Sequence, residues 1–283
     1  MSTQLRVAKP NPTISIVIPA RNEARNLEMV LPELPEVHEV ILVDGNSTDG
    51  TVETAQRVMP NIRIVHQTRK GKGNALVCGF RAATGDVIVM FDADGSADPA
   101  EIPAYIEALV RGADFAKGSR FCDGGGSHDI TRYRSGGNKG LNILTNLLLK
   151  TKYTDLCYGY NAFWSDILDA VDLPDPDIAV TNASGMLWGD GFEIETVLNC
   201  RIAAAKLAVH EVPSVERSRI HGESNLNAIR DGLRVLKTIL EEKGSARRLS
   251  REVAAIRKLE TARRRSVGAE NEKATIEEAE EIA

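Results

Sequence analysis

The sequence contains no apolar run that approaches the length of a bilayer span, and Met1 to Thr13 lack the apolar core of a secretory signal. Cysteine is sparse: Cys78, Cys122, Cys157 and Cys200 lie far apart, with no Cys-x-x-Cys pair. That spacing argues against a disulfide framework or a zinc ribbon and reads as reduced packing residues. Basic excess is missing too. A formal charge of −5 and a pI near 5.7 argue against a general nucleic-acid binder, which needs a basic face. No internal repeat is apparent. These absences predict a soluble cytoplasmic chain, one that can still visit a membrane surface.

What is present is enough for a sizeable core: 283 residues, 42% of them apolar. Short apolar runs alternate with helical spacing. Strands are expected over Ile14–Pro19, Val40–Val43, Ile62–His66, Asp86–Phe91, Ala113–Gly118 and Ala208–Pro213. Helices are expected over Asn22–Leu34, Thr51–Met59, Gly73–Ala83, Glu101–Arg111, Lys139–Leu149, Glu193–Ala204 and Asn227–Lys243. A glycine-rich loop at Gly124–Gly126, with further glycine at Gly136, Gly137 and Gly140, precedes a less regular stretch to Trp188. The β-α-β alternation predicts an α/β fold with a mostly parallel sheet and helices on both faces. After Gly244 the composition changes: residues 246–265 carry eight Lys/Arg against two Glu, and 266–283 one Lys against six Glu. This reads as a charged helical or disordered tail.

The most informative segment is VIVMFDADGSADP, residues 87–99. A continuously apolar, β-branched strand runs into Asp92 and Asp94, at the strand end where open α/β sheets place their ligands. Two carboxylates this close repel unless a cation joins them, and a hard divalent ion that also binds phosphate oxygen is the economical partner. A lone Asp-x-Asp is more often an acidic turn before a helix. Three further loops follow strand ends. PARNEARN, residues 19–26, offers backbone, Asn22 and Glu23 to a base or ribose, or else is a capped helix start. VDGNSTDGT, residues 43–51, places Asp44 where it can accept from a nucleobase or ribose, with an Asx-type turn the likelier reading in isolation. RKGKGNA, residues 69–75, sets Lys70 and Lys72 before a helix, cations suited to a diphosphate. It lacks the Gly-Lys-Ser/Thr order of a Walker loop.

Taken together, these pieces resemble the inverting family 2 glycosyltransferases with the GT-A fold, over roughly residues 14–243. The resemblance implies a nucleotide-sugar-binding half, 14–121, and an acceptor-side half, 122–243. It implies donor contacts from Pro19, Ala20, Arg21, Asn22, Glu23, Asp44, Lys72, Asp92 and Ala93. It assigns Asp92 and Asp94 to a Mg2+ or Mn2+ ion beneath the diphosphate. Gly45 departs from the family, which usually has a second acid beside Asp44.

Further segments are similar to the dolichol- and polyprenyl-phosphate mannosyl synthase branch. In GSRF, Arg120 is expected to face acceptor or diphosphate. RYRSGGN brings Ser135 and Asn138, with Arg132 and Arg134 interchangeable candidates, and DLCYGYNAF reads as structural. In ERSRIHGESNL, Arg219 and Ser224 fit a phosphate-closing element, while Asn225 stands where lysine is common. His221 is a candidate third metal ligand, or an ordinary loop histidine. Asp190, then Glu193, is the expected general base for a hydroxyl acceptor, with Glu195 nearby; an ionised phosphate acceptor needs none. The implied reaction moves a hexose from a GDP- or UDP-sugar to a lipid-linked phosphate or a saccharide. Peripheral membrane contact through the basic helix 247–265 and a homodimer stay open. The competing readings are transfer to a soluble acceptor, a sugar-nucleotide nucleotidyltransferase and an inactive sugar-nucleotide-binding relative.

Overall fold

In a computed structural model the chain is described at residues 9–181, 185–222 and 232–244. Ser224, Asn225 and the tail beyond 244 lie outside the described residues. The chain divides into two units, Met1–Leu240 and Glu241–Ala283. The sheet and the cleft below belong to the first; of the second only 241–244, a helical stretch, are described.

The element order is β1 (Ile14–Ala20), α1 (Ala24–Val30), β2 (Glu39–Asp44), α2 (Thr51–Val58), β3 (Arg63–His66), α3 (Lys72–Ala82) and β4 (Val87–Met90). It continues with α4 (Ile102–Val110), β5 (Phe115–Ser119), β6 (Gly126–Ser127), α5 (Arg132–Leu149) and β7 (Asn161–Trp164). The chain then forms α6 (Leu168–Val171), α7 (Ile194–Ala205), β8 (Val209–Pro213) and β9 (Val215–Glu216), with a further helical stretch over 232–240. Seven strands form one sheet in the order β3-β2-β1-β4-β7-β5-β8, while β6 and β9 pair separately. Ile16, Val17 and Ile18 of β1, Ile41, Leu42 and Val43 of β2, and all of β4 are buried, as parallel strands covered on both faces must be.

Three expectations are corrected. The helix expected over Asn22–Leu34 stops at Val30 and tightens into a 3-10 turn over Leu31–Glu33. Pro32 sits at its start and cannot donate the next helical hydrogen bond. The helix expected from Lys139 begins seven residues earlier, so Gly136 and Gly137 are helical rather than loop. Thr131 caps it by accepting from the Arg134 N–H, and its inward face is tied down: Asn138 donates to Asp155 at 2.8 Å and Asn142 accepts from the Leu156 N–H at 2.7 Å. The irregular stretch before Trp188 contains β7, which runs antiparallel to both neighbours between β4 and β5. Thus the region expected to form an acceptor-side half contributes β7 and β8 to the same sheet as the first four strands. Among the described residues no helix is long and apolar enough to cross a membrane.

Candidate active site

From β1 the chain winds outward through β2 to β3, then returns to place β4 on the other side of β1. The carboxyl ends of β1 and β4 therefore flank the switch point of the sheet, where such folds open a crevice. A cleft does open there. Its wall includes Pro19, Ala20, Arg21, Asn22 and Glu23 after β1, and Asp92, Ala93 and Asp94 after β4. Lys72, Arg120, Glu193, Arg219 and His221 join it from distant parts of the chain.

The first loop is knitted to the second. Asn22, at φ 57°, accepts from the Thr48 N–H at 2.9 Å, while the Glu23 N–H donates to the Thr51 hydroxyl at 2.9 Å. Asp44 is not in the cleft wall. It is buried, accepting from the backbone N–H groups of Asn46 and Ser47 at 3.0 and 3.2 Å, and closes an Asx-type turn. The base contact expected of it is therefore not presented to the cleft, which Asp49 and Gln67 line instead.

The loop before α3 is also different from expectation. Its helix N-terminus meets protein, not open space: the Asp190 carbonyl accepts from the Gly73 and Asn74 N–H groups at 2.7 and 3.2 Å. A Cβ on Gly71 would run into the Asp190 carbonyl, and one on Gly73 into that of Gly189. The Asp190 carboxylate is held by Arg69 through two hydrogen bonds, Nε–Oδ2 at 2.7 Å and Nη2–Oδ1 at 2.9 Å. Arg69 Nη1 also donates to the carbonyls of Asp175, Pro176 and Ile178. Asp190 is only 1% exposed and stands outside the cleft wall, so its carboxylate is a clamp rather than an accessible base. Lys70 points to solvent.

Every carboxylate at the centre of the cleft has an internal cation. Lys72 Nζ lies 2.8 Å from Asp92 Oδ1 and 2.9 Å from Glu195 Oε1. Burial alone would lower the Lys72 ammonium, but Asp92 and Glu195 reverse this and hold it above its ordinary value. Arg219 reaches Asp94 Oδ2 at 2.7 Å and Glu23 Oε1 at 3.3 Å. Glu23 is pushed up by burial, against the pull of Asn26 and Arg219. Asp92, Asp94 and His221 line the same cleft, and carboxylate oxygens are the donors that Mg2+ and Mn2+ prefer. Among the described residues no three His, Cys, Asp or Glu groups already converge as a metal cage.

On the other wall, Arg120 is buried between Asp155 and Glu216. Its Nε and Nη2 donate to Asp155 at 2.7 and 3.0 Å, its Nη1 reaches both Glu216 oxygens at 3.1 Å, and its guanidinium lies 4.8 Å from the Tyr158 ring centre. Burial would raise the Asp155 carboxyl, yet Arg120 and Asn138 hold it below its ordinary value. Glu193 accepts from the Gly189 and Gly191 N–H groups at 3.1 and 3.3 Å, and its Oε2 lies 3.6 Å from Arg234. Arg132, Arg134 and Asn138 reach the cleft from the first turns of α5, whereas Ser135 is not part of its wall. Sequence reasoning missed Arg69, Glu216 and Arg234. Each acts through a partner remote in the chain: Arg69 and Glu216 open the quoted segments RKGKGNA and ERSRIHGESNL, but nothing local marks them as partners of Asp190 and Arg120.

The family model described as "Glycosyl transferase family 2" matches residues 15–172. The chain is 32% identical to the undecaprenyl-phosphate mannosyltransferase of Micrococcus luteus over 221 residues, 75% of this chain and 86% of that protein. It is 33% identical to the dolichol-phosphate mannosyltransferase of Pyrococcus furiosus over 171 residues, 56% of this chain but only 48% of that longer protein. In fold it is similar to glucosyl-3-phosphoglycerate synthase from Mycobacterium tuberculosis, crystallised with Mn2+, UDP and glucosyl-3-phosphoglycerate. That structure superposes with a TM-score of 0.63 at 24% identity, covering 85% of this chain and 83% of the other.

Proposed function

Because the chain belongs to glycosyl transferase family 2 and has the GT-A fold, we propose that it transfers a hexose from a nucleotide-diphosphate sugar to the phosphate of a polyprenyl phosphate. The observation that carries this reading is the meeting, at the sheet's switch point, of Asp92 and Asp94 with the cations Lys72 and Arg219. The undecaprenyl-phosphate mannosyltransferase, matched over most of its length, supports the choice of acceptor.

The donor's nucleoside lies against residues 19–23, with Asp49 and Gln67 beside it. Its diphosphate points toward Asp92 and Asp94. A divalent ion held there, with His221 as third ligand, supplies Lewis-acid neutralisation of the leaving diphosphate when bound. Lys72 and Arg219 add positive charge, which stabilises the leaving group as charge develops on it. The acceptor approaches from the α5 side, where Arg132 and Arg134 offer guanidinium groups to an anion. Arg120, clamped by Asp155 and Glu216, shapes that wall. Attack by an already ionised phosphate oxygen, opposite the leaving group, inverts the anomeric centre in one displacement and requires no general base.

The test is transfer of radiolabel from GDP- or UDP-hexose, with Mn2+ and a polyprenyl phosphate in detergent. Label should enter the organic phase, and excess chelator should stop it. Label that stays in water, on a soluble phosphorylated or hydroxyl acceptor, would replace the lipid acceptor. Transfer that continues in chelator would remove the metal from the mechanism.

A further inference from the structure

Both oxygens of the Asp94 carboxylate already have partners within the chain. Its Oδ1 accepts from the Ser96 N–H at 3.0 Å and the Ser96 hydroxyl at 2.6 Å. Its Oδ2 is taken by Arg219 at 2.7 Å. The first oxygen is fixed by local turn geometry. The second is held by the end of a long side chain from a segment 125 residues away. That segment lies across the strand end through backbone contacts that do not depend on Arg219. The Ile220 N–H donates to the Asp94 carbonyl at 3.0 Å and the Arg217 N–H to the Ser96 carbonyl at 2.8 Å, while the Asn26 side chain donates to the His221 carbonyl at 3.2 Å. The Arg219 side chain can therefore leave Asp94 while its backbone stays docked.

We propose that Arg219 is a resident counterion that exchanges with the divalent cation at Asp94 and, once displaced, binds the donor's diphosphate. This rests on the metal-dependent donor reading above and adds an order of events to it. With the chain alone, one guanidinium serves two carboxylates, Asp94 and Glu23. A divalent ion brings more charge to the same oxygen but must first remove Arg219, so the ion alone binds weakly. When the diphosphate arrives with the ion, the freed guanidinium gains phosphate oxygens in a charge-assisted, bidentate geometry. Metal and nucleotide then bind with positive coupling, each making the other's site better. The same side chain is an obstacle to the metal alone and a ligand for the metal–nucleotide pair.

This predicts effects of opposite sign from a single substitution. Mn2+ binding to the full chain is followed by the electron paramagnetic resonance signal of free Mn2+, with and without UDP or GDP. Arg219→Gln should tighten Mn2+ binding in the absence of nucleotide by about tenfold, the scale expected for removing a competing charge at contact distance. It should weaken nucleotide binding in the presence of Mn2+ by about tenfold or more. Arg217→Gln, whose partners are Asp98 and Glu33, should leave Mn2+ affinity unchanged, and a thermal melt of each variant shows that the fold is intact. Unchanged or weaker Mn2+ binding by Arg219→Gln, with wild type binding Mn2+ normally, would overturn the exchange alone. Tighter Mn2+ binding accompanied by unchanged nucleotide affinity would overturn the phosphate-binding half. If wild type binds no Mn2+ even with both nucleotides present, the metal reading fails and the exchange fails with it.

Discussion

Arg69 and Asp190, 121 residues apart in sequence, meet in two hydrogen bonds of 2.7 and 2.9 Å outside the cleft wall. The Asp190 backbone carbonyl closes the N-terminus of α3, and the Glu193 carboxylate accepts from the N–H groups of Gly189 and Gly191 on either side of Asp190. Lys72 lies in the first turn of the same helix, so the clamp also sets where that ammonium meets Asp92 and Glu195.

Asp190→Asn leaves the Arg69 guanidinium buried without its counter-charge. We expect a loss of about 3–5 kcal/mol in stability, measured by urea unfolding, since breaking one side of a buried ion pair strands the other. Replacing both residues, as Arg69→Met with Asp190→Leu, should recover much of that loss. A variant with wild-type stability and no transfer would restore Asp190 as a base.

Asp44→Asn tests the turn. The asparagine retains an acceptor oxygen but loses the charge that draws in the Asn46 and Ser47 N–H groups. Stability should fall by about 1 kcal/mol, with donor affinity changed less than twofold by calorimetry. A selective loss of donor binding would place Asp44 on the nucleotide.

Glu193→Gln separates acceptor classes. Transfer to an ionised phosphate should keep its kcat within about threefold, because no proton is removed from the nucleophile. Transfer to a hydroxyl acceptor, if Glu193 is its base, should fall by about 10²-fold or more. The two assays on one variant show which chemistry the site serves.

Acid sensitivity should trace in part to Glu39. Burial alone would raise its carboxyl, but hydrogen bonds from Ser15, Thr84 and Arg63 bring it down from 4.5 to about 2. The folded value is the lower one, so the stabilisation is complete above the ordinary carboxylate range and is lost as pH falls from about 4.5 toward 2. Glu39→Gln should cost about 1–2 kcal/mol at neutral pH, allowing for partial exposure, and the difference from wild type should shrink in acid. Equal losses at pH 7 and pH 3 in chemical denaturation would refute the assignment.

The sequence by itself determined the first four strands, the helices between them and the delivery of Asp92 and Asp94 to a strand end, because periodicity and β-branching act over neighbouring residues. It also carried the loops that resemble family 2. It did not reveal β7, whose four residues gain their place only by pairing between β4 and β5. Nor did it reveal α5 starting at Arg132, because glycines that disfavour a helix locally are outweighed by the Thr131 cap and by Asn138 and Asn142 bonding to residues 154–156. The roles of the charged residues were decided last. Asp44, Asp94 and Asp190 are all aspartates after turns or strands, and nothing nearby in the chain separates a turn-closing carboxylate from a buried clamp or one that lines the cleft. That difference comes from which cation or N–H group arrives from far along the chain, and only the packed tertiary structure brings Arg69 to Asp190 and Arg219 to Asp94.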